Sequence, residues 1–245
     1  APVGTSTYRW YSDAGLTTLL TTGTNPTNGA LGFSSAAPNV TTVFVAETTS
    51  SNCTGPATAV TLTVNANPAA PGVTFSPSSY CVGQVIIAPF ITTPTGGSTY
   101  QWYSDAGLTS LLTTGTNPTN GALGFTSAAP ATITVFVTET NSNNCTSPAT
   151  SVTLTVNAIP VAPAVTFAPN TYCVGEAITP PVITTPSGGS TYSWYSDAGL
   201  TTLLTTGTNP TNVALGFSSA APVTTTVYVT ETSSANCTST ATAVT

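Results

Sequence analysis

The five cysteines are the side chains with the clearest capacity for covalent chemistry. They fall into two classes with a spacing of 92 residues: Cys53, Cys145 and Cys237 in one class, Cys81 and Cys173 in the other. The sequence contains no His and no Cys-x-x-Cys motif, which disfavours a zinc site. Cysteines in such a chain indicate disulfides and therefore an oxidising, extracellular compartment.

Two periodic pairings are open when each 92-residue repeat is taken as one module. The first joins Cys81 to Cys145 and Cys173 to Cys237 within modules, and leaves Cys53 for an upstream partner. The second joins Cys53 to Cys81 and Cys145 to Cys173 across junctions, and leaves Cys237. Because a strand advances about 3.3 Å per residue and a disulfide needs Cα atoms within about 7 Å, the second pairing requires the array of modules to fold back on itself. The pairing within modules is therefore predicted.

The carboxylates offer no catalytic pair. Their seven positions are Asp13, Glu47, Asp105, Glu139, Glu176, Asp197 and Glu231. Six of them are two positions repeated three times, as expected for turn and surface residues, whereas a carboxylate hydrolase needs two acids about 5 to 9 Å apart. Without His or Lys the chain also lacks the usual general bases and Schiff-base nucleophiles. We expect no enzyme and no cofactor, with a weak Ca²⁺ site in oxygen-rich loops as the alternative.

Cys81 and Gln84 raise the question of a thioester between a thiol and a side-chain amide. The counterpart of Gln84 in the third module is Glu176, which lacks the amide that such chemistry consumes. An isopeptide bond is excluded because the chain contains no Lys. We therefore interpret the residues around Cys81 as structural.

A tryptophan followed by a tyrosine recurs once per module, as Trp10-Tyr11, Trp102-Tyr103 and Trp194-Tyr195. Successive strand residues point to opposite faces of a sheet. The residue before the tryptophan is Arg9, Gln101 or Ser193, each of which suits solvent. The tryptophans are therefore predicted in the core and the tyrosines on the outside. An outer stripe of this kind would pack on its own sheet or contact a neighbouring chain, with stacking on the sugars of a surface glycan as the alternative.

These residues belong to a tandem repeat. The heptapeptide Trp-Tyr-Ser-Asp-Ala-Gly-Leu occurs once in each module, in phase with both cysteine classes. The predicted division is a partial module at 1–66 that lacks its first strands, a complete module at 67–158, and a module at 159–245 that lacks the end of its last strand. In repeat proteins each unit contacts its neighbours, so neighbouring modules are expected partners.

Within a module the pattern is that of short strands and turns. Val152, Leu154 and Val156 alternate with polar residues, which predicts a last strand with one buried face. Asn120-Gly121 is typical of a hairpin turn, although Asn212-Val213 replaces it in the third module. About seven short strands in roughly 90 residues predict an all-β fold of antiparallel β-sandwich modules. Two prolines at each junction predict stiff linkers.

Four motifs of the second module carry a resemblance to a known family. They are Tyr-Cys-Val-Gly at 80–83, Tyr-x-Trp-Tyr at 100–103, Val-Phe-Val-Thr-Glu-Thr at 135–140 and Asn-Cys-Thr-Ser-Pro at 144–148. They resemble the immunoglobulin-like repeats of large Bacteroidota surface proteins, and the resemblance covers every module. It implies tandem immunoglobulin-like sandwiches in a secreted adhesin or filament protein that is exported by the type IX system.

Composition limits the partners. Charged residues make up 3% of the chain and the net charge is -6, with Arg9 as the one cation. Nucleic acid and anionic membrane surfaces both attract Lys and Arg, so neither is an expected partner. No stretch reaches the roughly 18 apolar residues of a membrane span.

The function that these observations favour is structural. We expect a repeat region of a long extracellular adhesin, stalk or filament, in which disulfide-stapled modules form a rod-like spacer that contacts other copies of itself. A carbohydrate-binding module that uses the tyrosine face is the alternative. The cell surface or the extracellular space is the expected location.

Overall fold

The computed structural model describes residues 6–245 of the chain. Within these residues there are 17 strands and two helices of four residues each. The predicted all-β class is therefore confirmed. The two helices are short enough that they act as structured turns between strands.

The elements repeat from module to module. The first module contains β1 (Thr7–Tyr11), β2 (Leu19–Thr22), β3 (Asn39–Thr48) and β4 (Thr58–Val64). The second contains β5 (Val73–Thr74), β6 (Ser79–Cys81), β7 (Phe90–Ile91), β8 (Thr99–Tyr103), β9 (Leu111–Thr114), α1 (Asn120–Leu123), β10 (Ala131–Thr140) and β11 (Thr150–Asn157). The third contains β12 (Val165–Thr166), β13 (Val182–Ile183), β14 (Thr191–Tyr195), β15 (Leu203–Thr206), α2 (Asn212–Leu215), β16 (Val227–Thr232) and β17 (Thr242–Val244).

Each module has one main sheet in which four equivalent strands follow the same order, and the second module adds β6 at one edge. The orders are β2-β1-β3-β4, β6-β11-β10-β8-β9 and β15-β14-β16-β17. The second and third modules each add a two-stranded sheet, β5-β7 and β12-β13. Pairing is antiparallel, as predicted, except that β6 runs parallel to β11. That exception decides where Cys81 lies.

The chain divides into two compact units. The first holds the residues up to Pro71 together with Thr95–Tyr100 and Thr138–Ala149. The second holds Gly72–Pro94, Gln101–Val137 and Thr150–Thr245, and so contains most of the second module and all of the third. The module boundaries expected from the repeat stay a prediction.

The core of the third module lies between its two sheets. Ile183 on β13 packs in one cluster with Trp194 on β14, Val229 on β16 and Val244 on β17. The sandwich thus forms because each sheet contributes one apolar face. On the matching last strand of the second module, the residues Val152, Leu154 and Val156 are buried, and the Thr residues between them stay at or near the surface.

The tryptophans occupy equivalent positions but differ in burial. Trp102 and Trp194 are fully buried, as the alternation predicts. Trp10, predicted in the core as well, is only half-buried. The described part of the first module contains no counterpart of the β12-β13 sheet, which covers Trp194 in the third module. Less apolar surface is therefore available to bury Trp10.

The predicted hairpin turn at Asn120-Gly121 is wrong. These residues begin the helix α1. Its N-cap is Thr119, whose side chain accepts a hydrogen bond from the Ala122 amide. Gly124 ends the helix with a φ of 71°. Capping Thr and left-handed Gly are strong helix-end signals, and they favour a helical turn over a hairpin. A helix also accepts a valine at this position, and Val213 replaces Gly121 in the helix of the third module.

Candidate functional site

One disulfide joins the second module to the third. Cys81 on β6 is bonded to Cys237, with Cα atoms 5.6 Å apart and a sequence separation of 156 residues. Cys81 is 8% exposed and Cys237 is fully buried. The bond therefore lies in a protected environment and crosses a junction between modules.

The pairing predicted within the second module, Cys81 with Cys145, is wrong. In the parallel pair of β6 and β11, Cys81 lies opposite Asn157, at the end of β11. Cys145 precedes Thr150, where β11 begins. The seven residue steps from Thr150 to Asn157 span about 23 Å at the usual rise of a strand. That distance is about three times the separation of roughly 7 Å that a disulfide allows.

Neither predicted scheme is formed elsewhere in the described chain. Cys173, the predicted partner of Cys237, is a free exposed thiol, and Cys53 and Cys145 are free as well. The scheme that paired Cys53 with Cys81 and Cys145 with Cys173 is therefore also absent. Neither scheme contains the observed type of link, which joins a cysteine of the Cys81 class in one module to a cysteine of the Cys237 class in the following module.

Cysteines of the Cys237 class sit in loops of one shape. The Ser233 amide donates to the Cys237 carbonyl oxygen (2.9 Å), and the Cys237 amide donates back to Ser233 Oγ (3.3 Å). Asn141 and Cys145 exchange the same two bonds, both at 3.0 Å. In both loops Sγ lies 3.8 Å from the carbonyl oxygen two residues earlier. The free and the bonded cysteine thus present their sulfur atoms in the same way.

An asparagine with left-handed backbone precedes each of these cysteines. The three residues are Asn52, Asn144 and Asn236, with φ values of 62°, 59° and 60°. Asn tolerates this region better than most residues, because its short polar side chain forms local hydrogen bonds. The asparagine before each of these cysteines therefore permits the left-handed backbone conformation of the loop that carries the cysteine.

The loops that follow the other cysteine class also share one shape. The Cys81 amide donates to Gln84 Oε1 (2.8 Å), and the Gln84 amide donates to the Cys81 carbonyl oxygen (3.1 Å). Cys173 and Glu176 make the same pair of bonds at 2.7 and 3.1 Å. An amide oxygen and a carboxylate oxygen both accept hydrogen bonds, so Gln and Glu are interchangeable here. The amide that a thioester would consume is a structural acceptor in this loop.

Asn120 and Asn212 support the cysteine loops from the helices. Asn120 Nδ2 donates to the Ile86 carbonyl oxygen (2.7 Å), and Asn212 Nδ2 donates to the Ile178 carbonyl oxygen (2.6 Å). Sequence reasoning missed this role because it assigned Asn120 to a hairpin. The Thr before the Asn and the Gly four residues after it, read together as helix caps, are the signal that would have found it.

A cleft of about 840 Å³ lies beside Cys173 in the third module. Its lining includes Phe167, Tyr172, Cys173, Phe217, Val223 and Thr245. Residues 171–173 are the counterparts of β6, but they form no strand, and β17 ends at Val244. In the second module β11 covers the equivalent residues. Cys173 is exposed, whereas Cys81 is buried.

Asp13, Asp105 and Asp197 hold equivalent turns together. The Asp105 carboxylate accepts hydrogen bonds from the amides of Thr109 (3.2 Å) and Ser110 (2.7 Å). These backbone hydrogen bonds lower the pKa of Asp105, and the corresponding donors lower the pKa of Asp13 and of Asp197. Both oxygens of the carboxylate therefore accept amide hydrogens of their own turn. Within residues 6–245 no group of three or more Cys, Asp or Glu side chains is arranged to hold a metal ion.

The predicted tyrosine stripe is not uniformly exposed. Tyr11 is only 7% exposed, which corrects its assignment to an accessible outer face, and Tyr103 and Tyr195 are half-buried. Tyr11 lies opposite Phe44 on β3, and Tyr195 lies opposite Tyr228 on β16. Both tyrosines therefore have an aromatic residue as their direct cross-strand neighbour.

The Tyr103 hydroxyl is engaged within its own strand. It donates to Gln101 Oε1 (3.2 Å), two residues earlier on the same face. Arg9 and Ser193 occupy the position of Gln101 in the other two modules. The chemical character of the stripe therefore differs from module to module.

Side chains also fix the linkers to the modules. Thr242 Oγ1 on β17 donates to the Pro163 carbonyl oxygen (2.6 Å). Asn141, in the loop that carries Cys145, donates through Nδ2 to the Ala66 carbonyl oxygen (3.3 Å). Each linker is thus held by a hydrogen bond from the module that follows it.

Comparison with known protein families gives two tandem matches. The family described as Ig-like domain CHU_C associated matches residues 68–157 and residues 160–245. Together the two matches cover more than half of the chain. No curated protein matches the chain.

Proposed function

Because the chain belongs to the Ig-like domain CHU_C associated family, we propose that it is a structural repeat region of a secreted or cell-surface protein. In this role the modules form a covalently linked spacer without catalytic activity. The observation that carries the proposal is the Cys81–Cys237 disulfide, because it connects successive modules. A bond of this kind limits the freedom of one module relative to the next. The role requires no metal and no cofactor.

The disulfide supports an extracellular location. Disulfides persist in oxidising compartments and are rare in the cytosol, and this chain carries one that is buried. None of the helices among the described residues is long and apolar enough to cross a membrane. We propose an extracellular adhesin, stalk or filament as the parent structure.

We propose further that the spacer is rod-like. Two prolines at each junction and the hydrogen bond from Thr242 to Pro163 favour a stiff linker. The test is small-angle X-ray scattering on the chain and on a chain lengthened by one more copy of residues 154–245. Since the ten-residue strand β10 alone spans about 34 Å, the maximum dimension is expected to grow by about 40 Å.

The matched control for this experiment is the Cys81→Ser variant under the same conditions. It is expected to retain the mean length and to show a broader distribution of distances, because the junction between the second and third modules loses its covalent link. A maximum dimension that does not grow with the added module contradicts the rod.

A specific observation favours self-association through the sheet edges. The strands β2, β9 and β15 lie at the edges of the main sheets, and each carries a leucine, Leu19, Leu111 or Leu203, that is about half exposed (51%, 52% and 54%). Edge strands without charged residues are poorly protected against pairing with another chain. We propose that these edges allow side-by-side packing into filaments.

Electron microscopy and sedimentation at increasing protein concentration test this second proposal. Filaments or higher oligomers are expected for the native chain and are expected to be lost in the variant Leu19→Lys, Leu111→Lys, Leu203→Lys. The variant Thr153→Lys, at an exposed position of the last strand, is the matched control for added charge. A chain that stays monomeric at all concentrations overturns the packing proposal and leaves the spacer intact.

A further inference from the structure

We propose that Cys173 and Cys53 are the two halves of a further intermodule disulfide, and that the partner of each is another module of this repeat. The bond would extend the array covalently beyond the Cys81–Cys237 link. The inference rests on the proposed spacer role in one respect, which is that the partner is a module of the same kind.

Cys173 and Cys81 hold equivalent positions within the repeat. Cys173 lies 92 residues after Cys81 and occupies the same loop position. A partner for Cys173 at the observed separation of 156 residues would lie after residue 245, and partners for Cys53 and Cys145 would lie before residue 1. The three free thiols are therefore the three cysteines for which this sequence contains no equivalent partner.

The loops of Cys173 and Cys53 have the hydrogen-bonded conformations of the loops that carry the bonded pair, Cys81 and Cys237. The Cys173 loop repeats the two hydrogen bonds of the Cys81 loop, with Glu176 in the place of Gln84. In addition, Ser219 Oγ donates to the Glu176 carbonyl oxygen (2.6 Å), as Ser127 Oγ does to the Gln84 carbonyl oxygen (2.7 Å). The loop is thus fastened to its module before any bond forms.

The Cys53 loop matches the Cys237 loop in the same way. The Thr49 amide donates to the Cys53 carbonyl oxygen (3.0 Å), and the Cys53 amide donates to Thr49 Oγ1 (3.2 Å). Cys53 Sγ lies 3.9 Å from the Ser51 carbonyl oxygen, close to the 3.8 Å of the bonded Cys237. Pre-formed loops lower the entropy lost when two thiols are brought together.

Solvent exposure favours Cys53 over Cys145 as the thiol that pairs with Cys173 of a second copy. Cys53 and Cys173 are both exposed, whereas Cys145 is half-buried. The loop of Cys145 already makes a hydrogen bond to the end of the first module, from Asn141 Nδ2 to the Ala66 carbonyl oxygen. A first module therefore occupies the side of Cys145 on which a preceding module would dock.

The oxidant that forms the bond between Cys173 and Cys53 is a small disulfide such as oxidised glutathione. The thiolate of Cys173 attacks one sulfur of the small disulfide, which forms a mixed disulfide and releases one glutathione thiolate. The thiolate of Cys53 then attacks the protein sulfur of the mixed disulfide and releases the second glutathione. Two protein thiols are oxidised and one glutathione disulfide is reduced to two thiols.

Two sources of the partner module are distinguished by two arms of one experiment. In the first arm the 245-residue chain is incubated in a glutathione redox buffer and analysed by non-reducing electrophoresis and peptide mass spectrometry. Covalent dimers and longer species linked through Cys173 and Cys53 are expected if a second copy supplies the partner. In the second arm the chain is lengthened by one copy of residues 154–245, and a bond within the monomer from Cys173 to the added counterpart of Cys237 is expected.

Matched variants make each arm decisive. In the first arm Cys173→Ser and Cys53→Ser are each expected to abolish the covalent dimers, and Cys145→Ser is expected to leave them unchanged. In the second arm Cys173→Ser is expected to abolish the added link, with the Cys81–Cys237 peptide pair as the internal measure of correct folding.

The inference is overturned if Cys173 stays a free thiol in both arms, or if it links predominantly to another Cys173. The scattering experiment reads the length of the spacer without reference to Cys173. A failure of the covalent link is therefore distinguishable from a failure of the spacer role.

Discussion

Cys81 and Cys237 lie 5.6 Å apart at their Cα atoms although 156 residues separate them in sequence. A cross-link over so long a loop removes much conformational freedom from the unfolded chain, about 5 kcal/mol in the chain-entropy model. We expect Cys81→Ser to lower the free energy of unfolding by an amount of this order, measured by denaturant titration with circular dichroism. Cys145→Ser, which removes a free thiol, should change it by less than about 0.5 kcal/mol. Equal effects of the two variants would contradict the assigned pairing.

The tryptophan hydrogen bonds allow a comparison between modules. Trp102 Nε1 donates to the Gly115 carbonyl oxygen and Trp10 Nε1 to the Gly23 carbonyl oxygen, both at 2.9 Å. Trp102→Phe should cost about 1 to 3 kcal/mol, because it leaves a carbonyl unpaired beside the core. Trp10→Phe should cost less, because Trp10 is half-buried and water reaches its surroundings more easily. Denaturant unfolding of the two variants measures the difference, and a larger cost at Trp10 would be inconsistent with the burial described here.

Glycines at the α1 helix provide a matched pair of substitutions. Gly124 ends the helix with a φ of 71°, where a Cβ would meet no atom within 4 Å. Gly124→Ala should therefore cost about 1 kcal/mol from backbone conformation alone. Gly121→Ala should instead stabilise by up to about 1 kcal/mol, because Ala favours the helix and the counterpart of Gly121 is Val213. Thermal unfolding midpoints of the two variants should shift in opposite directions, and a shared direction would count against the helix.

The three aspartate turns predict a dependence of stability on pH. Hydrogen bonds from the turn amides lower the pKa of Asp13, Asp105 and Asp197 in the folded state. The stabilising contribution is therefore fully present above the unfolded pKa of about 3.9 and is lost as the pH falls through the lowered folded values. Unfolding free energies measured between about pH 6 and about pH 2 should fall with pH. They should fall less in the variant Asp13→Asn, Asp105→Asn, Asp197→Asn.

Substitutions of Gln84, which accepts a hydrogen bond from the Cys81 amide, distinguish a hydrogen-bonding role from covalent chemistry. Gln84→Glu should leave stability nearly unchanged, because Glu176 makes the same bond to Cys173 in the third module. Gln84→Ala should cost about 1 kcal/mol, since the Cys81 amide loses its partner. Denaturant unfolding of both variants tests this. A strong loss in Gln84→Glu would indicate that the amide itself is required.

Local patterns predicted much of the fold because they reflect local physics. The alternation of Val152, Leu154 and Val156 predicts a strand with one buried face, and the structure buries these three side chains. The repeat predicts that Trp102 and Trp194 share one environment, and both are fully buried. The helix at Asn120 is not predicted by the Asn-Gly dipeptide, which is typical of a hairpin, and it is the caps on either side, Thr119 and Gly124, that favour the helix.

The sequence by itself determined the period, the all-β class and the division of the cysteines into two classes, because these depend on residue type and spacing along the chain. Only the tertiary structure decided which cysteines meet. The parallel placement of β6 against the end of β11 carries Cys81 a full strand length from Cys145. The same placement brings it to the junction where Cys237 of the next module arrives. Partners of this kind depend on which strand ends lie together in space, and that arrangement is set by packing between strands that are distant in sequence.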